Sequence, residues 1–413
     1  MSDMRPFDYA RDLDAIKRIW KEVGWVESDG EVAQLDTFFK VGHTWVGTID
    51  DVAECSVHTV PGELYLGAQA VPLCCVTAVT TSRVARGRAF AQRLTARQLA
   101  QGAARGAQVA SLGIFDQGFY DKLGFGSASY DHRFTFDPSN LKVSHKVRTP
   151  VRLTVDDAQD MHAAMCARNK VHGSVILEPP ELVQSEFGFN EGCFALGYRD
   201  EAGVLTHFVL LKPKGERGPF RVLLIGYQNS DQLLELLSLL KSLADQVYSV
   251  ILIEPPEVQM QDLLERPFRN MTLTHKSEHQ AEHESFAWWQ FRILDVPGCV
   301  QALPASQGST RLQLDISDPL DSLLPAEDSW RGVGGQYVLE LGSTNQATPL
   351  TSPLDESQPI LRCSVNAFSR WLWGVQPASG LAISDDFELR GPLEYSSLDR
   401  HILHRDPRTG WDF

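Results

Sequence analysis

The feature that most constrains this chain is Arg86-Gly87-Arg88-Ala89-Phe90-Ala91, set between an apolar strand and a long helix. Ahead of it runs Leu73-Cys74-Cys75-Val76-Thr77-Ala78-Val79-Thr80, apolar enough for a strand buried on both faces. Behind it, from about Gly87 to Arg105, Phe90 and Leu94 lie four apart. Ala96, Leu99, Ala100 and Ala103 then follow at i, i+3, i+4 and i+7, and Gly106 is placed to end the helix. A glycine-containing turn at a helix start presents free backbone N–H groups and the positive end of the helix dipole. Small residues at Gly87, Ala89 and Ala91 let a ligand approach the backbone, and Arg83, Arg86 and Arg88 add charge that phosphate can use. The six residues alone also describe a basic helix start with alanines chosen for propensity. The strand that precedes them favours the phosphate seat, and with it a mixed α/β and α+β architecture.

A chain of 413 residues exceeds one ordinary core, and its pattern divides into three blocks. The first, 1–145, opens with an amphipathic helix around Asp12–Trp20, then strands at Thr44–Ile49 and Cys55–Val60, with a turn read at Pro61-Gly62-Glu63. Beyond the long helix come a strand at Gln108–Ile114, a short helix at Gly118–Leu123, the turn Gly124-Phe125-Gly126 and a strand at Ser129–Phe136. The second block, 146–291, repeats the plan as strand Phe220–Tyr227, helix Asp231–Ala244 and strand Val247–Glu254. Its strand-to-helix joint, Gln228-Asn229-Ser230-Asp231, has neither glycine nor arginine, so the phosphate seat is not repeated. The third block, 292–413, reads as α+β, with strands at Gln336–Leu341 and Ile360–Val365 and a helix at Asn366–Trp373. Ser343–Gln358 reads as a surface loop.

Bulk properties narrow the function classes. The net charge of −15 opposes nucleic-acid binding and suits a cationic small substrate. No apolar run reaches the ~20 residues of a membrane span, and the N-terminus lacks a secretory layout, so a cytoplasmic location is expected. Seven scattered cysteines without a C-x-x-C pair read as reduced core residues, with Cys74 and Cys75 facing opposite sides of their strand. His275, His279 and His283, with Glu278 and Glu282 between them, have helical ligand spacing but run into the strand-like Phe286-Ala287-Trp288-Trp289. They read as a surface cluster, and no metal is expected. No G-x-S-x-G occurs to support a hydrolase.

Taken together, Val76–Thr81 running into Arg86-Gly87-Arg88-Ala89, Phe119-Tyr120-Asp121-Lys122-Leu123-Gly124-Phe125-Gly126, and the ending Trp411-Asp412-Phe413 are similar to a known pattern. They resemble the GNAT acetyltransferases, and within them the enhanced-intracellular-survival (Eis) group. The junction Phe291–Pro297 fits as well. The resemblance implies two fused GNAT domains, the second without a working cofactor site, followed by a sterol-carrier-protein-like (SCP2-like) domain. It also implies acetyl-CoA as co-substrate, a primary-amine acceptor of aminoglycoside or lysine type, and a homo-hexamer. Cofactor contacts then fall on Ala78, Val79, Thr80, Thr81, Arg86, Gly87, Arg88, Ala89, Phe90 and Ala91. Ala89 departs from the usual glycine, and Ala78 stands where relatives often place a bulky aromatic.

The chemistry follows from the same resemblance. Acetyl transfer needs a neutral amine, a donor for the thioester oxygen and a proton for the departing thiolate. A backbone N–H near Val79 suits the oxygen, and a phenol suits the thiolate, because ~10 and ~8.5 are close enough for proton transfer. The resemblance makes Tyr120 that acid and the α-carboxylate of Phe413 the base, acting through water. The residues alone also permit a packing tyrosine and a frayed tail. Asp412, Glu27 and Asp29 are expected to hold a cationic amine, with Trp25 and Phe38 as walls. A competing reading is a non-catalytic carrier whose third domain holds an apolar ligand.

Overall fold

The computed structural model describes residues 2–114, 116–265 and 281–411. Within them the strands form three sheets of eight, seven and five members. The first contains β1 (Ser2–Pro6), β2 (His43–Ile49), β3 (Val52–Leu66), β4 (Gln69–Thr81) and β5 (Val109–Gly113) in that spatial order. Strands Trp289–Ile293 and Gly126–Ser127 complete its edge beyond β5, and Val175–Leu177 pairs with β3.

Helices cover both faces. Helix α1 (Tyr9–Val23) starts where Asp8 accepts the Arg11 N–H and stops at Gly24 in the left-handed conformation. Its stripe Leu13, Ile16, Ile19 and Trp20 packs on the face that holds Cys75. Helix α2 (Asp29–Phe38) joins it there, begun by a capping box between Ser28 and Glu31. Helix α3 (Phe90–Ala104) lies on the opposite face, burying Phe90, Leu94 and Leu99 against Cys74 and Val76. The adjacent cysteines do point to opposite faces, as the alternation of a strand requires.

Two sequence expectations are corrected. The turn read at Pro61-Gly62-Glu63 is the interior of β3, which runs unbroken for 15 residues and reverses at Gly67 instead. A Cβ on Gly62 would stand 2.3 Å from the Ile176 carbonyl oxygen, so the glycine admits the crossing strand Val175–Leu177 rather than a turn. The loop read at Ser343–Gln358 contains a strand, Gln346–Pro349, which pairs back on Gly335–Leu341 through a turn held by Asn345 accepting the Gly342 N–H.

The sheets also exchange strands across the boundaries read from the sequence. Asp131–Phe136 lies in the second sheet, between Val250–Ile253 and Glu282–Phe286. Trp289–Ile293 returns to the first, antiparallel to β5, with Trp289 opposite Gly113. In the second sheet Phe220–Gly226, helix Ser230–Lys241 and Val250–Ile253 repeat the β4–α3–β5 unit. The third sheet, with helix Val365–Leu372, packs against the first. Ser369 accepts the Ile293 N–H at 3.1 Å, and Arg292 forms a fully buried ion pair with Asp318 at 2.5 Å.

Candidate active site

Strands β4 and β5 run parallel and paired from Leu73/Val109 to Val76/Leu112, and there the pairing ends. Beyond that point β5 keeps only Trp289–Ile293, paired along its other edge throughout, while β4 continues alongside β3 to Thr81. A wedge therefore opens between two parallel strands, leaving the outer edge of 77–81 without a strand neighbour among the described residues. Within it β4 carries a bulge: His58 faces Thr77 and Ser56 faces Thr80, so Ala78 and Val79 share the single place opposite Val57. Ala78 takes φ +50 to make that irregularity, a conformation rarely adopted by a non-glycine residue. Thr80 and Thr81 anchor the far side through Ser56 (2.8 Å) and Cys55 (3.2 Å).

The bulge opens on a cavity of about 400 Å³. Cys75, Val76, Thr77, Ala78 and Val79 form its floor, and Gly113, Ile114 and Tyr120 its β5 side. Trp20, Trp25, Phe38, Phe189, Trp288 and Trp411 form aromatic walls. Trp25 and Phe38, expected from the sequence as walls of an amine site, both line this cavity. Trp20, Phe189 and Trp288 were missed, because they reach the cavity from separate elements that only the assembled fold brings together.

Tyr120 sits on the one-turn helix α4 (Gln117–Asp121), started by Asp116 accepting the Phe119 N–H. Its ring is fixed edge-on between Phe119 (4.9 Å) and Phe125 (6.1 Å), and the Phe125 N–H returns to its carbonyl at 3.2 Å. The third sheet's helix clamps this segment. Asn366 donates to the carbonyls of Asp121 and Phe125 at 3.0 and 2.7 Å, and Arg370 to that of Ser127 at 3.0 Å. Burial, with a smaller contribution from Asp116, pushes the Tyr120 phenol up to about 12. Burial also raises the Cys75 thiol, in the wall of the same cavity, well above its usual range.

At the end of β4 the chain passes through a short turn at Arg83–Ala85 and enters α3. Gly87 takes φ +77, and Ala89 takes φ +55 as the residue before the helix. Ala89 has no side chain with which to cap, so the N–H groups of the first turn of α3 remain open to a ligand. Arg86, Gly87, Arg88 and Ala89 are exposed, Phe90 is buried, and Ala91 packs partly against the core behind it. Arg83 is engaged by Glu22, whose backbone carbonyl accepts from its guanidinium at 3.1 Å. The matching helix of the second sheet differs: Asn229 caps it by accepting the Gln232 N–H at 3.0 Å, and Gln232 accepts the Gln228 N–H at 2.7 Å. One helix start is open and basic, and the other is closed by its own side chains.

The acidic residues proposed from the first block fall elsewhere. Asp29 is fully exposed and pairs loosely with Lys21 at 3.4 Å, and Glu27 is exposed with its N–H held by Glu31 at 2.7 Å. Neither lines the cavity. The capping box at Ser28-Asp29-Gly30-Glu31 turns this segment into a helix start, where acidic side chains serve the dipole. The carboxylate in the cavity wall is Glu186, which accepts from Asn190 at 3.2 Å. Asp412 and Phe413 lie outside the described residues, as do His275 and His279. His283 is on the strand Glu282–Phe286, stacked on Phe134, and no cluster of three metal-ligating side chains occurs among the described residues.

The tail itself is held in place up to Trp411. Arg168, buried, donates to the carbonyls of Thr409 (2.7 Å) and Val175 (2.6 Å) and to that of Gly410. The Val175 N–H is received by the Thr409 carbonyl at 3.0 Å, and Ser129 donates to Pro407 at 2.8 Å. These bonds bury Trp411 in the cavity that also contains Tyr120.

With that geometry in place, residues 5–128 match the family model of the acetyltransferase (GNAT) domain. None of the curated proteins is significantly similar in sequence. Among solved structures, a probable N-acyltransferase from Enterococcus faecalis V583 superposes with a TM-score of 0.76 at 13% identity, over 98% of this chain and 97% of its own. A GCN5-related N-acetyltransferase from Kribbella flavida gives 0.73 at 19%, over 100% and 99%. Eis1 from Mycobacterium abscessus gives 0.74 at 15%, over the full length of both chains. At such identities the likeness is one of fold. No helix among the described residues is long and apolar enough to cross a membrane.

Proposed function

With its GNAT domain as the premise, we propose that this chain transfers an acetyl group from acetyl-CoA to a primary amine held in the aromatic cavity beside Tyr120. The observation that carries this is the joint occurrence of an open, basic helix start at Ala89 and a strand wedge at Val76 leading to a buried phenol. The residues present fit the cofactor. The uncapped N–H groups of α3 with Arg86 and Arg88 suit a pyrophosphate. The unpaired edge of Ala78–Thr81 suits the pantetheine amides, which need backbone partners along an extended path. Bound there, acetyl-CoA supplies an activated acyl group as its thioester.

The chain's own part is positional and electrostatic. The N–H near Val79, released from the ladder by the bulge, faces charge developing on the carbonyl oxygen. As the amine's N–C bond forms and the C–S bond breaks, Tyr120 donates its proton to the sulfur, and the proton shed by the amine passes through water and restores the phenol. At about 12 the phenol is a weak acid towards a thiolate of ordinary basicity. A thiolate leaving into the same desolvating surroundings is raised in the same direction, as burial raises the Cys75 thiol that lines the cavity. The acceptor amine is desolvated by aromatic walls, with Glu186 as the nearby carboxylate, a setting that favours a flat or apolar primary amine. In this reading the five-stranded C-terminal unit is the SCP2-like domain, and its task here is to clamp α4 and deliver Trp411.

The test is a calorimetric titration with acetyl-CoA, followed by thiol release over a panel of primary amines. Binding with amine-dependent release is the expected result. Tight binding with no release from any amine would favour the carrier reading. The double variant Arg86→Gln/Arg88→Gln should raise the acetyl-CoA Kd about tenfold or more, since each guanidinium–phosphate bond contributes on the order of 1.5–3 kcal/mol when desolvated and less when exposed. An unchanged Kd removes the pyrophosphate from this turn.

A further inference from the structure

The second sheet repeats the wedge of the first but with different chemistry. Phe220–Gly226 and Val250–Ile253 pair only at Phe220/Val250 and Arg221/Ile251, then separate. A cavity of about 260 Å³ fills the opening. Val222, Leu223, Ile225, Leu252 and Phe286 give it apolar walls, and Trp288 and Trp411 stand in its wall and in that of the Tyr120 cavity. Because Asn229 closes the helix start beside it, this wedge has no seat for a pyrophosphate.

Its charged lining is instead predominantly cationic. Arg133, Arg168, Arg221 and Arg408 face it, against the carboxylates of Asp131 and Glu254. Arg133 is neutralised from outside by Glu284 (2.6 Å). Arg408 forms ion pairs with Asp131 at 3.7 Å and Glu254 at 3.9 Å, both longer than a hydrogen bond, and its Nη1 is buried without a hydrogen-bond partner among the described residues. Arg168 is 7% exposed, spends both its Nη atoms on backbone carbonyls and leaves Nε buried without a partner among the described residues. No carboxylate pairs with it there, and burial pulls its guanidinium down to about 10, a penalty that a neighbouring anion would relieve. Arg221 is exposed at the mouth, with no ion pair among the described residues.

We propose that this second wedge is a binding site for a carboxylate carried on an apolar body, the head held by Arg408, Arg221 and the field of Arg168, the body between Leu223, Leu252 and Phe286. A bare phosphate fits less well, because most of the lining is hydrocarbon and the helix start is closed. The site does not depend on the acetyl-transfer reading. Through Trp288 and Trp411, though, its occupancy touches the neighbouring cavity.

The experiment is calorimetry on the full chain with 4-phenylbutyrate, 4-phenylbutylamine and inorganic phosphate, each with and without saturating acetyl-CoA. 4-Phenylbutyrate should bind at least tenfold more tightly than the amine or phosphate, and should still do so with acetyl-CoA present. Arg221→Gln and Arg408→Gln should each weaken it about tenfold while the acetyl-CoA titration stays as in wild type. Absence of heat with 4-phenylbutyrate overturns the proposal, as does equal binding of the amine or of phosphate, or wild-type affinity in both variants. Loss of acetyl-CoA binding alone overturns the acetyl-transfer reading and leaves this one standing.

Discussion

Tyr120→Phe should lower kcat by about 10²–10⁴ while leaving acetyl-CoA affinity close to wild type. The substitution removes one oxygen from a ring packed between Phe119 and Phe125, so the wall of the cavity keeps its shape. Among the described residues the hydroxyl makes no hydrogen bond, so its loss orphans no partner among them and the change bears on the proton donor. A packing tyrosine would show the opposite pattern, with turnover near wild type. The pH dependence gives a second check. Burial holds this phenol at about 12, above its ordinary value, so folding favours the protonated form. Its contribution to stability is complete below about pH 10 and lost as pH rises through 12. The same sign means that the acid stays protonated at every ordinary assay pH. Wild-type kcat, once the amine is neutral, should therefore hold a plateau to about pH 10 with no basic limb. A limb with an apparent pKa near 8–9 that disappears in Tyr120→Phe would place the phenol in a different electrostatic setting and reject this account.

What the sequence revealed here was whatever is encoded locally. The strand, turn and helix around Arg86–Ala91 are written in contiguous residues. So is the contrast with Gln228–Asp231, where a capping asparagine replaces an open glycine turn. Tyr120 was legible for the same reason, since its helix and the Gly124 turn lie within a few residues of it. The walls of the cavity were not. Trp20 comes from α1, Phe189 from the second block, Trp288 from beside a strand that crosses into the first sheet, and no periodicity ties them together. Glu27 and Asp29 misled because acidic residues near an aromatic suggest a cation site. The Ser28–Glu31 box in the same stretch explains them as helix-start residues instead. The exchange of Asp131–Phe136 and Trp289–Ile293 between sheets was invisible for a related reason: an apolar strand carries its two faces in its sequence, but not the identity of its neighbours.

That exchange puts unusual weight on one buried pair, and Asp318→Asn should destabilise the fold by about 3–5 kcal/mol, read as a fall in the urea midpoint. Arg292 and Asp318 are both 0% exposed in their side chains. The aspartate also accepts the N–H groups of Leu320 and Val333 at 3.0 and 2.8 Å, and the arginine donates to the Leu123 carbonyl at 2.5 Å. Every atom of the pair that matters is satisfied, so neutralising one member leaves the other's charge stranded in the core at the joint of the first and third sheets. The penalty belongs to the stranded charge and not to the loss of an attraction. Arg292→Met combined with Asp318→Leu should therefore recover most of the stability that Asp318→Asn loses. If the double variant is as unstable as the single one, the pair is holding the joint through its hydrogen bonds to Leu123, Leu320 and Val333. Turnover then separates the two roles. Leu123 follows Tyr120 by three residues, so a well-folded double variant that loses the Leu123 bond should keep acetyl-CoA affinity and lose part of kcat, as α4 loosens behind the phenol.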